Sequence, residues 1–265
     1  MKTIPARNGF AEVNGTRLYY EAAGEGQALV LIHGFALDTR VWDDQFDVFA
    51  QQYRVIRLDL RGYGRSALPA AENYRHVDDL KALLDYLDLQ LGLPGATLIG
   101  LSMGGGVAID YALTYPETVR ALVLVDSTLG GFRWAINWSV KAREVGLESA
   151  RKRWLAHPIF AASFEQPEVA ARMAQIVEDY SGWHWLNRDP DRGMATAIER
   201  LTEIHVPALV IVGERDLPDF QAIADILVQG IPRAHKKVLR GSGHLPNMES
   251  PLAFNDCVLN FLATL

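Results

Sequence analysis

Gly100-Leu101-Ser102-Met103-Gly104 stands where the hydrophobic period of the chain changes. Ahead of it, Ala96-Thr97-Leu98-Ile99 is a short apolar run that reads as a buried strand. Behind it, Val107, Ala108, Ile109, Tyr111, Ala112 and Leu113 read as a helix. The chain therefore turns from strand to helix at a single serine. In that context G-x-S-x-G reads as a strained turn that exposes the hydroxyl of Ser102, with Gly100 and Gly104 admitting neighbouring backbone. The helix N-terminus lies beneath Ser102, so the Met103 amide can point at a developing oxyanion. A plain glycine-rich strand-to-helix turn has the same pattern, and the flanking sequence has to decide.

Working outward, Phe10 to Ala22 reads as a hairpin about Val13-Asn14-Gly15-Thr16. Ala28-Leu-Val-Leu-Ile32 is a continuous apolar run suited to a strand covered on both faces, and it leads into His33-Gly34-Phe35. Asp38 can cap the helix carrying Val41, Trp42, Phe46 and Phe49. Tyr53 to Leu58 is a further strand, stopped by the loop Asp59 to Ser66. A helix opening at Asn73 carries Val77, Leu80, Leu84, Leu87 and Leu91 on one face and ends at Gly92 and Pro94. Ala121 to Val125, Pro207 to Val212 and His235 to Leu239 complete the strands, with helices from about Asp219 to Gln229 and from about Glu249. Strands alternating with helices predict an α/β fold: a mostly parallel, eight-stranded sheet with helices on both faces and its site beyond the carboxyl ends of the strands.

The alternation breaks between Gly130 and Glu203. That stretch has helical patterns around Ser139 to Leu155, Glu168 to Tyr180 and Arg192 to Leu201, and it holds Trp134, Trp138, Trp154, Trp183 and Trp185, five of the six tryptophans. Residues 130–203 are expected to form a helical cap inserted into a core of residues 1–129 and 204–265. The aromatic underside of the cap is expected to roof an apolar pocket. Trp138, with Leu217 and Leu245, is the expected pocket wall. For any one tryptophan, welding cap to core is the commoner role.

The 265 residues, 49% hydrophobic and 22% charged, suffice for one sizeable core. A net charge of −6, with Arg151-Lys152-Arg153 the only basic triplet and read as a solvated helix face, argues against a nucleic-acid partner, and no apolar run reaches the length of a membrane span. No leader of signal-peptide type is evident, so a cytoplasmic protein is expected. Cys257 is the only cysteine, which excludes an intramolecular disulfide.

Serine is a weak nucleophile unless a base lies within hydrogen-bond reach, and the base needs an acceptor that fixes its tautomer. Asp216 and His244 each follow a predicted strand, on the same edge of the sheet as Ser102. Ser, Asp, His is the chain order of one known triad arrangement. Asp126 also ends a strand and is the alternative acid; Asp216 is preferred for its place after the penultimate strand. Asp59 is expected to brace its loop through Arg61 or backbone amides. His33 is expected to shape the loop whose Phe35 amide would be the second oxyanion donor beside Met103. His76, His157, His184, His205 and His235 read as surface or packing residues, with no metal-ligand spacing among them.

These motifs together resemble the α/β-hydrolase fold superfamily, through His33-Gly34-Phe35, Asp59 to Ser66, Gly100 to Gly105, Gly213-Glu-Arg-Asp216 and Gly241 to Pro251. The nearest likeness is to small carboxylesterases and 3-oxoadipate enol-lactonase-like members. Dehalogenases and epoxide hydrolases of the superfamily carry aspartate where Ser102 stands. The carbon–carbon bond hydrolases usually carry a serine- and proline-bearing glycine loop, from which Phe35-Ala36-Leu37 departs. The resemblance implies a cofactor-free, metal-free serine hydrolase acting on a small-molecule ester or lactone, with Ser102, His244 and Asp216 catalytic. A perhydrolase or haloperoxidase using the same triad, or a receptor-like binder with little turnover, would share these features.

Overall fold

Asn14 and Gly15 both adopt positive φ (46° and 67°), the backbone of a tight two-residue hairpin turn, and join β1 (Arg7–Val13) to β2 (Thr16–Ala23) in a computed structural model. The structure describes residues 6–70, 73–91, 95–135, 138, 140–191 and 193–265. β3 (Ala28–Ile32) is buried at every position, as its unbroken apolar sequence requires. Asp38 accepts a hydrogen bond from the Arg40 amide (3.0 Å) and caps a 3-10 turn, Thr39–Trp42, that leads into α1 (Asp43–Ala50). β4 (Arg54–Leu58), α2 (His76–Leu91), β5 (Ala96–Leu101), α3 (Met103–Thr114) and β6 (Val119–Val125) follow.

Between β6 and β7 (Ala208–Gly213) lie five α-helices and no strand among the described residues: α4 (Ala142–Val145), α5 (Leu147–Leu155), α6 (Ala161–Phe164), α7 (Pro167–Asp179) and α8 (Trp183–Leu186). The chain closes with α9 (Pro218–Gly230), β8 (Ala234–Leu239), α10 (Pro246–Glu249) and α11 (Pro251–Leu262). The eight strands form one sheet in the order β1-β2-β4-β3-β5-β6-β7-β8, antiparallel only at β1/β2 and β2/β4.

Parallel pairing from β4 to β8 brings the carboxyl ends of six strands to one edge. The chain steps one way from β3 to β4 and the other way from β4 to β5. Right-handed crossovers then put α1 and α2 on opposite faces. α3 packs with α2, and α11 packs with α1. Among the described residues, no helix is long and apolar enough to cross a membrane.

Several expected boundaries move for local reasons. α2 begins at His76 rather than Asn73, and its first amide donates to Asp191 Oδ2 (2.7 Å), a cap supplied from 115 positions away. Gly92 and Pro94, its expected stop, and Ser139 and Arg192 lie outside the described residues. The pattern expected to run as one helix to Leu155 is cut by Gly146 at φ 82° into α4 and α5. The pattern towards Leu201 forms 3-10 turns, Ala197–Glu199 and Leu201–Glu203, in place of an α-helix.

The turn at Ser102 works only because two neighbouring residues lack Cβ. A Cβ on Gly100 would stand 2.3 Å from the Gly104 carbonyl oxygen, and one on Gly104 would stand 2.3 Å from that of Ile32. Both obstacles are backbone, which cannot swing aside. Gly104→Ala is therefore expected to destabilise the fold by about 1–3 kcal/mol or more, read as a lowered midpoint in urea unfolding.

Candidate active site

Each chemically relevant residue sits just past the end of a strand. Ser102 follows β5 with φ 53° and ψ −116°, a strained backbone for a residue with a side chain. Its amide donates to the Val125 carbonyl (2.8 Å). Its carbonyl accepts from the amides of Gly105 (2.9 Å) and Thr128 (3.0 Å), so the turn is held from both sides. Gly34 lies alongside, and a Cβ there would be 3.3 Å from Cβ of Ser102. The loop carrying Phe35 and the N-terminus carrying Met103 thus flank the hydroxyl.

The Phe35 loop is fixed from beneath. His33 is fully buried; its Nδ1 donates to the Gly34 carbonyl (2.8 Å) and its Nε2 accepts from the Leu60 amide (3.0 Å), which sets its tautomer. Burial lowers its pKa and keeps it neutral. Asp59 accepts from the amides of Thr39 and Arg65, both at 2.8 Å, and so ties this loop to the glycine loop that follows β4. Arg61 takes no part in that bracing: it pairs with buried Asp79 (2.6 Å).

His244 and Asp216 are both buried, and Nδ1 of His244 lies 2.8 Å from Oδ2 of Asp216. The other oxygen of Asp216 accepts from the Leu217 amide (2.7 Å). The ring of Phe220 packs on that of His244 at 4.4 Å. The segment before His244 is pinned by buried Glu249, which accepts from the Gly243 amide and the Ser163 hydroxyl. Gly213 permits β7 to meet this segment, since a Cβ there would run into the Gly243 carbonyl. Phe220 and Glu249 carry no motif of their own. Glu249 falls six residues after Gly243, within the conspicuous stretch from Gly241 to Pro251, and that placement is its only signal in the sequence.

Asp126 lies close by, with one atom each of Asp126, Asp216 and His244 within 4.8 Å of one another. It accepts from the Gly213 amide (3.0 Å), while its second oxygen has no hydrogen-bond partner. Burial, and then the neighbouring Asp216, push the Asp126 carboxyl well above the usual range. The direct partner of the imidazole is Asp216.

Ser102 and His244 both line one cavity of about 870 Å³. Its walls include Phe132, Trp134, Trp138, Trp154, Trp185 and Phe220. Leu217 and Leu245 are not part of its lining. Leu245 is fully buried, and Leu217 packs on the core after donating its amide to Asp216. A second, polar end of the cavity brings in Asp110, His76, His184, Asp189 and Asp191. Burial lowers the pKa of His76 to about 4 and that of His184 to about 3, so both rings are neutral. Their spacing along the chain hides this meeting, because one comes from α2 and the other from α8.

Residues 29–256 match the model of the alpha/beta hydrolase family. The 3-oxoadipate enol-lactonase 2 of Acinetobacter baylyi is 32% identical over 254 residues, covering 91% of this chain and 91% of the lactonase. The enol-lactonase structure from Burkholderia xenovorans superposes with a TM-score of 0.81 at 28% identity, over 96% of this chain and 100% of that one. The structure of an N-acyl homoserine lactone degrading enzyme gives a TM-score of 0.80 at 28% identity, with 96% and 100% covered.

Asp110, at the polar end, offers a pH test. Burial raises its carboxyl from 3.8 to about 6, against the lowering effect of the Met194 amide that donates to it (2.7 Å). The folded state thus keeps a proton that the unfolded chain has lost. The stabilisation is complete below about pH 4 and disappears as pH rises through about 6. Wild type should lose on the order of 2 kcal/mol relative to Asp110→Asn between pH 4 and pH 7, measured by urea unfolding at both values.

Proposed function

The chain belongs to the alpha/beta hydrolase family, and we propose that it is a serine hydrolase cleaving a small, fairly apolar carboxylic ester or lactone through an acyl-enzyme. The observation that carries this reading is the juxtaposition of a strained, cavity-facing Ser102 with a buried His244 already paired to Asp216. Because Nδ1 of His244 faces the carboxylate, that nitrogen carries the proton. Nε2 is then left as the base.

Ser102 Oγ attacks the substrate carbonyl as Nε2 of His244 accepts its proton. The charge that develops on the carbonyl oxygen is stabilised by the amides of Phe35 and Met103, fixed dipoles that need no rearrangement during the step. Collapse of the tetrahedral intermediate expels the alkoxide, which takes the proton back from His244. Water then repeats the attack on the acyl-enzyme, and Ser102 is regenerated. Asp216 orients the imidazole and stabilises its cationic form.

The substrate class is supported by the cavity and by the relatives. Aromatic walls favour an apolar acyl or alcohol group, and residues 130–203 act in this reading as the cap that supplies most of them. An enol-lactonase and an N-acyl homoserine lactone degrading enzyme are both named for lactones, cyclic esters whose acyl and alkoxide parts belong to one molecule.

Hydrolysis of p-nitrophenyl esters from acetate to octanoate, and of a simple γ-lactone, tests the proposal directly. Wild type should turn over at least one of them, and Ser102→Ala should abolish it. Asp216→Asn should lower kcat by roughly 10³ to 10⁴, with Asp126→Asn changing it far less. Equal losses in the two aspartate variants would refute the assignment of the acid. Turnover that survives in Ser102→Ala would sink the mechanism.

A further inference from the structure

The polar end of the cavity contains three donors that the hydrolytic mechanism does not use. One ligand-type atom each from His76, His184 and Asp189 lies within 4.8 Å of the other two. Nε2 of His184 is 3.4 Å from Oδ2 of Asp189, yet it is out of line and forms no hydrogen bond. Both ring nitrogens of His76 also lack a hydrogen-bond partner. His76 is only 4% exposed and the His184 side chain 2%. Buried polar atoms without partners are costly, and one from each histidine meeting in one place calls for an occupant.

These nitrogens present essentially no surface to a particle the size of water. A polar group of a substrate could therefore not reach them as they stand. A bare cation could, because metal–ligand bonds are much shorter than hydrogen bonds. Ligands at about 2.0–2.1 Å from a tetrahedral ion stand about 3.3–3.4 Å apart, which is the observed separation of His184 Nε2 and Asp189 Oδ2.

The surroundings suit such a role. Nδ1 of His184 is 2.8 Å from the Tyr180 hydroxyl, and its ring is stacked on Tyr63 at 4.3 Å and 12°, so the imidazole is held in orientation. In the tautomer in which Nδ1–H donates to Tyr180, the Nε2 lone pair faces Asp189. The other oxygen of Asp189 accepts from the Tyr74 hydroxyl (2.9 Å) and the Asp191 amide (3.0 Å). Both rings are neutral, so no proton has to be displaced at neutral pH.

We propose that one ring nitrogen of His76, Nε2 of His184 and Oδ2 of Asp189 bind one divalent transition-metal ion, zinc by its donor set, the side chains parting on binding to admit the water that completes the coordination. His76 opens α2 in the sheet-bearing part of the chain, whereas His184 and Asp189 belong to the segment between β6 and β7. The ion would clip these two parts together across the end of the cavity. This inference does not depend on the hydrolytic reading.

The experiment is a titration of the full, EDTA-dialysed chain with zinc chloride, followed by calorimetry and by elemental analysis after equilibrium dialysis. One zinc per chain is expected, with a higher melting temperature in its presence. His184→Gln and Asp189→Asn should each weaken binding by at least tenfold and remove the thermal shift. Circular dichroism of both metal-free variants checks that they fold, and the smaller change at Asp189 keeps the test open if His184→Gln does not. Cobalt(II) supplies a readout that altered packing alone would not produce: visible absorption of a four-coordinate site in wild type, absent from the variants. Failure of wild type to retain stoichiometric zinc, or retention unchanged in folded variants, would overturn the proposal.

Discussion

The close approach of three backbone segments around Ser102 is the constraint on which the rest of the site depends. Gly104 sits against the carbonyl of Ile32 at the end of β3, Gly100 against the carbonyl of Gly104, and Gly34 against Ser102 itself. Only with Cβ absent at Gly100 and Gly104 can β5 bend into α3 directly beside the loop that leaves β3. The strain at Ser102 is tolerated because its amide and carbonyl are fully engaged with Val125, Gly105 and Thr128. A turn over-determined in this way presents the hydroxyl, the helix N-terminus and the Phe35 loop as one rigid unit.

Around that unit, buried carboxyls are arranged so that they do not oppose one another. Asp216 is matched to an imidazole and an amide, and Glu249 to an amide and a hydroxyl. Asp126, the carboxyl with an oxygen left over, has its proton affinity raised by its burial and by Asp216. Two ionised carboxylates in a dry site repel strongly, and the upward shift at Asp126 works against that conflict. The acid that faces the imidazole is thus selected by hydrogen bonding as much as by position in the chain.

The segment between β6 and β7 lines the part of the cavity nearest Phe35 with rings, and its charged residues lie elsewhere along the wall. Phe35 meets Trp154, Tyr180, His184 and Trp185 edge-on or tilted, while Tyr63 lies flat against Tyr180 and His184. These contacts join the loop beside Ser102 to the aromatic wall above it, so the shape of the pocket and the position of the loop are coupled. Hydrophobic contact of this kind is non-directional. It is the offset and edge-to-face ring geometry that gives it definition.

The sequence by itself determined the α/β alternation, the strands of the sheet, the turn at Ser102 and the order of a serine, two candidate acids and His244. Each is local or periodic: an apolar run of five residues, glycines on either side of a serine, a polar residue at the end of a strand. Only the tertiary structure decided which aspartate faces His244, because Asp126 and Asp216 end adjacent strands and differ solely in where their oxygens point. It also turned Leu217 and Leu245 away from the cavity, split the Ser139-to-Leu155 pattern at Gly146, and brought His76 to His184 across more than a hundred positions. The physical reason is common to the aspartates, the leucines and the histidine pair. Periodicity reports which face of an element is apolar, whereas the meeting of side chains from distant elements is fixed by packing, burial and unsatisfied polar atoms that exist only once the chain has folded.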